Sequence, residues 1–169
     1  MLVKQTVFYL ELVRPGRVPA IKAPKPPVIV RRIQAPRPEL NRLFYLTIGR
    51  NWHWVDRSNW SIDDWRKLIE RQDYETWIAY RSTTAVGYFE LDFQDCQNPE
   101  IVYLGVMPGF DGQGLGQYLL QKAVRRVWRQ GARRVWLHTC SHDHPAALHI
   151  YQKNGFRIIR QEIVEKEFS

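Results

Sequence analysis

Residues 111–116 read Asp111-Gly112-Gln113-Gly114-Leu115-Gly116. Just before them, Glu100-Ile101-Val102-Tyr103-Leu104-Gly105-Val106 is an apolar run that suits a strand. Just after them, residues 115–129 set Leu115, Tyr118, Leu119, Ala123, Val127 and Trp128 at helical spacing and stop at Gly131. Three alternate glycines between a strand and a helix leave main-chain N–H groups unshielded at the positive end of that helix. Such a turn can hold an anion such as a pyrophosphate. The dipole supplies only about 0.3–1 kcal/mol, so directed N–H bonds must carry most of the hold. Taken alone, the six residues fit a ligand-free turn equally well. A P-loop is excluded, because Gly116 is followed by Gln117 where Lys is required. A dinucleotide fingerprint fits poorly, because the spacing is G-x-G-x-G and Pro108, Gly109 and Phe110 follow the strand first.

Downstream, residues 134–140 read as a strand and 145–153 as a short helix stopped by Asn154-Gly155. Residues 156–162 and 164–168 read as a closing pair of strands. Upstream, 75–80 and 85–91 are strands joined by a turn at 82–84. Ser61 caps a helix that carries Asp63, Asp64, Trp65, Leu68 and Ile69. Residues 38–48 look helical with Pro38 in the first turn. Residues 4–12 alternate as a strand, and 28–33 (VIVRRI) suit another. Seven of the ten prolines fall between Pro15 and Pro38, so residues 1–38 read as a strand followed by an extended proline-rich arm. Strands mixed with helices on one sheet give an α/β (α+β) class.

The chain has 169 residues, 44% hydrophobic and 25% charged, which suits a single domain over 1–169 with a packed core rather than disorder. No apolar run reaches the ~18 residues of a membrane span. Residues 6–13 are apolar but include Glu11, and no small-residue cleavage site follows, which argues against a secretory signal. Cys96 and Cys140 could form one disulfide, but a reducing, cytoplasmic context reads better. Residues 1–50 hold 10 Lys and Arg against 2 Asp and Glu, and residues 51–100 hold 5 against 10. The overall +8 permits nucleic-acid binding, although a solvated basic surface is the commoner reading.

Three segments, in this order, resemble the GNAT superfamily of acyl-CoA-dependent N-acetyltransferases. Residues 100–106 look like its central strand. Residues 111–116 look like its pyrophosphate loop, with Asp111 where the family opens on Gln or Arg. Ala146-Ala147-Leu148-His149-Ile150-Tyr151-Gln152-Lys153-Asn154-Gly155-Phe156 looks like its A-A-x-x-x-Y-x-x-x-G-F ending, with His144 where an Asn often precedes the alanines. The resemblance covers 75–156 well and the N-terminal third poorly. It implies a strongly bent mixed sheet flanked by helices, splayed beside the central strand, with acetyl-CoA in the opening. Backbone groups of Leu104, Val106 and Pro108 would face the pantetheine arm. Backbone N–H groups of Gln113, Gly114, Leu115, Gly116 and Gln117 would hold the pyrophosphate. His144 would also touch the cosubstrate, and Lys153 would meet its 3′-phosphate, with Lys122, Arg125 and Arg126 as further candidates.

The implied reaction is attack of an amine on the thioester. An amine of pKa near 10.4 is neutral at pH 7 in only about 10⁻³ to 10⁻⁴ of molecules, a cost of about 4–5 kcal/mol. A positioned base can offset this, and typically contributes about 10²–10⁴-fold. Glu100 is the first choice, because lysine-acetylating members carry their base on that strand, and Glu90 is the second. Tyr151 matches the tyrosine that serves the departing thiolate, and a phenol can donate that proton without resting charge. His138, Cys140, His142 and His144 share parity beside Asp143, but strand parity ends near Cys140 and the spacing is not that of a zinc site, so no metal is expected. Asp56, Asp63, Asp64, Asp73, Glu75, Glu90, Asp92 and Asp95, with Trp52, Trp54, Trp60 and Trp77, suggest an acidic, aromatic rim for a small or peptidic amine. The rival reading is a non-catalytic module of this fold that binds a nucleic acid or acidic protein through its basic surface. A homodimer is compatible with either.

Overall fold

The computed structural model describes residues 1–14 and 19–168. Seven strands and four helices follow in the order β1 (Leu2–Val13), β2 (Ile29–Arg32), α1 (Pro38–Gly49), α2 (Ile62–Ile69), β3 (Tyr74–Arg81), β4 (Thr84–Asp92), β5 (Glu100–Val106), α3 (Leu115–Arg129), β6 (Arg134–Cys140), α4 (Ala147–Lys153) and β7 (Arg157–Glu167). The strands make one open sheet in the order β2-β3-β4-β5-β6-β1-β7. Only β5 and β6 run parallel; every other neighbouring pair is antiparallel. The segment between β1 and β2 is neither helix nor strand over its described residues, as its prolines require. Pro15 lies outside the described residues.

The central strands are covered on both faces, which explains why 85–91 reads as a nearly continuous apolar run. In β4, Phe89 packs into the cluster built around α3, and its neighbour Tyr88 packs with Phe44 and Ile48 of α1. Both rings are almost wholly buried. Helix α2 starts where Ser61 predicts it. The Ser61 hydroxyl accepts from the Asp64 N–H at 3.2 Å, and the Asp64 carboxylate accepts from the Ser61 N–H at 2.8 Å. This reciprocal cap satisfies two otherwise orphaned donors.

One expectation is corrected. Residues 156–162 and 164–168 are not a pair of strands; β7 is one strand of 11 residues. Ile163 alone cannot reverse the chain, and the 12-residue β1 offers a partner along its whole length. A bulge at Ile159 interrupts this ladder, with Leu10 opposite Ile158 and Tyr9 opposite Arg160.

Candidate active site

β5 and β6 share a single residue pair, Glu100 with Trp136. Beyond it they part, and a cavity of about 380 Å³ opens between them. Residues 101–106 line one wall, and Leu137, His138 and Cys140 line the other. The Met107 N–H donates to the Val86 carbonyl at 2.8 Å. By strand alternation the amides of Leu104 and Val106 then turn to the open side. Gly105 is needed because a Cβ there would lie 2.7 Å from Ile48 Cγ2. Helix α1 and Trp54 can therefore close down over β5. Pro108 lies outside the cavity lining.

At one end of the cleft the glycine loop delivers α3. Gly114 is the N-cap of that helix with φ +76°, a left-handed conformation that other residues adopt at a cost of about 1–2 kcal/mol. A Cβ on Gly112 or Gly114 would meet nothing within 4 Å, so the loop is an open cradle that side chains would fill. Gly114, Leu115, Gly116 and Gln117 line the cavity. Gln113 does not; its side-chain oxygen accepts from Arg81 Nη1 at 2.8 Å outside the lining. Lys153 and Lys122 are also outside it. Arg126 is committed to Glu75 at 2.7 Å.

Two departures from the family pattern meet here. His144 Nδ1 accepts from the Ala146 N–H at 3.0 Å at the start of α4. That bond leaves the ring proton on Nε2, which faces Asp111 at 3.9 Å. His144 also packs on Trp52 with centroids 4.7 Å apart. His144 thus both caps α4 and lines the site, with Asp111 beside it.

At the other end sits the titratable chemistry. Glu100 does not line the cavity. Its Oε1 lies 3.3 Å from Nδ1 of His138, and His138 does line it, with 39% of its side chain exposed. Hydrogen bonding to Glu100, opposed by burial, raises the His138 pKa above the ordinary 6.5. Nothing in the sequence marks this contact: it depends on the lone pairing of Glu100 with Trp136, which puts His138 two residues along the facing strand.

Glu90, the second candidate base, is fully buried and does not reach the cavity. It accepts from Arg57 Nη1 at 2.9 and 3.1 Å and from the Tyr74 hydroxyl at 2.8 Å. The guanidinium of Arg57 lies over Trp60 at 4.8 Å, Trp65 at 5.1 Å and Tyr103 at 4.7 Å. This is a structural ion pair in an aromatic cage.

Tyr151 lines the cavity from α4, and burial raises its phenol well above 10, so it stays protonated at neutral pH. Burial also raises the Cys140 thiol, which argues against a thiolate nucleophile. Asp143 is held by the Trp54 indole N–H at 3.0 Å and the Thr139 hydroxyl at 2.5 Å. His142 turns toward Gln5, 3.4 Å away. Among the described residues no cluster of three or more His, Cys, Asp or Glu side chains could hold a metal ion.

Much of the acidic middle block is spent elsewhere. Asp63 pairs with Arg66, Asp73 and Asp92 with Arg71, and Glu75 with Arg126 and Arg32. Asp64 caps α2, and Asp95 accepts from the Gln97 and Asn98 N–H groups. Of that block only Asp56 reaches the cavity, together with Trp52 and Trp54. Trp77 stacks on Phe89 in the core. Sequence reasoning missed Lys166, which lines the mouth from β7 in contact with Asp56.

No helix of the described residues is long and apolar enough to cross a membrane. The Acetyltransferase (GNAT) family model matches residues 39–156, so it takes in α1 and α2 as well as the segments that carried the resemblance. A mycothiol acetyltransferase of Corynebacterium efficiens is 27% identical over 121 residues, 68% of this chain and 39% of that protein. A GCN5-related N-acetyltransferase of Sphaerobacter thermophilus superposes with a TM-score of 0.71 at 16% identity, over 95% of this chain and 50% of that one. A GNAT family acetyltransferase of Elizabethkingia anophelis, solved with acetyl-CoA bound, superposes with a TM-score of 0.59 at 23% identity, over 79% and 78% of the two chains. The chain therefore spans half or less of the first two relatives. Acetyl-CoA is the cosubstrate of the family. The family model covers well over half of the chain, including both walls' approach to the cleft and the glycine cradle, and the chain belongs to the GNAT family of acetyltransferases.

Proposed function

We propose that this protein transfers the acetyl group of acetyl-CoA directly to a primary amine of a small molecule or peptide, in the cytoplasm. The observation that carries the reading is the cleft itself: β5 and β6 separate after one pair, and the opening runs from the glycine cradle to His138. The cradle amides of Gly114, Leu115, Gly116 and Gln117 suit the diphosphate. The inward amides of Leu104 and Val106 suit the pantetheine amides, and one of them suits the oxygen that becomes negative during attack.

Within that reading His138 is the base and Glu100 is its positioning partner. Nε2 of the neutral imidazole takes a proton from the incoming ammonium, directly or through one water, while Glu100 holds Nδ1–H and stabilises the imidazolium. The freed amine attacks the thioester carbonyl carbon, the C–N bond forms, and the C–S bond breaks. The Tyr151 hydroxyl donates its proton to the departing sulfur and recovers one from the nitrogen, which sheds its second proton as the amide forms, while the His138 imidazolium returns its proton to water. Asp56 and Asp143 attract the cationic acceptor, and Trp52 and Trp54 give its apolar part a wall. The binding-module alternative explains the +8 charge but gives no role to the Glu100–His138 and Tyr151 groups around the cleft.

Titration calorimetry with acetyl-CoA, followed by a panel of primary amines assayed for released CoA thiol, tests this. Binding with thiol release for at least one amine is expected. Absence of heat at millimolar acetyl-CoA overturns the reading.

A further inference from the structure

β7 is the outermost strand of the sheet, and its far edge pairs with no described segment. It is 11 residues long and carries Ile159 at 45% and Ile163 at 73% exposure. A long, bare edge with exposed isoleucines invites another strand unless something blunts it.

The sequence of this edge is Arg157-Ile158-Ile159-Arg160-Gln161-Glu162-Ile163-Val164-Glu165. Reflected about Gln161, each basic residue falls on an acidic one and each aliphatic residue on an aliphatic one. We propose that β7 pairs antiparallel with β7 of a second copy of this chain, about a two-fold axis through Gln161. Arg160 then lies opposite Glu162 of the second copy twice over, on the regular side of the bulge at Ile159. Directly opposed pairs of this kind are the units of sheet stabilisation.

The register is specific. A two-fold axis normal to a sheet must pass through a residue position, so the adjacent registers centre on Arg160 or on Glu162. Each sets that charge against its own copy. The bulge at Ile159 confines the regular pairing to the centre, where Arg160, Gln161 and Glu162 reflect onto one another. The two central charges are already held in place within one chain. The Arg160 guanidinium lies 4.0 Å over the Tyr9 ring, and Glu162 accepts from the Tyr9 hydroxyl at 2.6 Å. The same strand carries Lys166 at the mouth of the cavity, so pairing would brace one wall of the acceptor entrance.

Sedimentation equilibrium of the full chain, with circular dichroism and melting as folding controls, tests the proposal. The expected species has twice the 20.1 kDa chain mass. Arg160→Glu and Glu162→Arg each put like charges opposite at two places, and each should weaken the dimer about tenfold or more. The double variant R160E/E162R should restore it. Ile163→Lys, at a position too exposed to matter for folding, should also weaken it. In a Cys96→Ser background, Gln161→Cys should cross-link to its own copy on oxidation. A monomer at every concentration, a dimer indifferent to the single variants, a double variant that does not recover, or a folded Gln161→Cys protein that does not cross-link overturns the proposal.

Discussion

Replacing Glu100 by Gln separates the two ways in which this carboxylate could serve catalysis. It lies behind His138, 3.3 Å from Nδ1 and outside the cavity lining. If it acts through the imidazole, Glu100→Gln keeps a hydrogen-bonding side chain and removes only the charge that favours the imidazolium. A hydrogen bond to a charged group is worth about 1.5–3 kcal/mol when dry, and exposure of His138 brings this down to about 1 kcal/mol, or roughly 5–10-fold in rate. His138→Gln removes the base itself and should cost about 10²–10⁴-fold, with little change in the KM for acetyl-CoA. The sign of the pH effect follows from the same contact. Glu100 raises the His138 pKa, so the acid limb of kcat/KM lies above the ordinary imidazole value of 6.5. Removing the charge should move that limb to lower pH while the plateau falls. The assay is thiol release across pH 5.5–9.5 for wild type and both variants. If Glu100→Gln costs as much as His138→Gln and abolishes the limb, or if the limb stays where it was, the relay reasoning is wrong.

Gly114→Ala should weaken acetyl-CoA binding about tenfold or more by calorimetry, because it strains a residue at φ +76° by about 1–2 kcal/mol and places a methyl in the cradle. Arg57→Ala should lower stability by about 3–5 kcal/mol in urea unfolding, because it strands the buried Glu90 carboxylate. Glu90→Gln should leave turnover per folded molecule within a few fold, whereas a loss of about 10²-fold or more would restore it as a base. Tyr151→Phe should lower kcat with little change in the KM for acetyl-CoA; equal turnover would remove the phenol from the leaving-group step. Hydrogen bonds from Arg134 and Arg157 hold the Glu11 carboxyl below its ordinary 4.5. Its folded pKa is therefore depressed, and the stability it contributes is present above pH 4.5 and drains away as pH falls through the native value. Glu11→Gln should accordingly flatten the acid side of a plot of Tm against pH.

The sequence by itself settled what local chemistry can settle. The 3.6-residue spacing of Leu115, Tyr118, Leu119 and Ala123 marked α3 to the residue, Ser61 marked the start of α2, and the alternate glycines marked the cradle. These are properties of neighbours along the chain, so the chain displays them. The roles of Glu90 and Glu100 were not legible in the same way. Both are strand carboxylates with similar surroundings in sequence, and what separates them is who stands opposite. Arg57 arrives from a loop 33 residues away to lock Glu90 in an aromatic cage, and His138 arrives 38 residues later on β6 to stand between Glu100 and the cleft. The tryptophans divide for the same reason, with Trp52 and Trp54 at the cavity and Trp60 over Arg57. Likewise the strand at 156–168 looked like two, because its unbroken length depends on β1 lying beside it. Burial, partnership and access to the cavity are set by contacts between distant segments, and only the packed sheet brings those segments together.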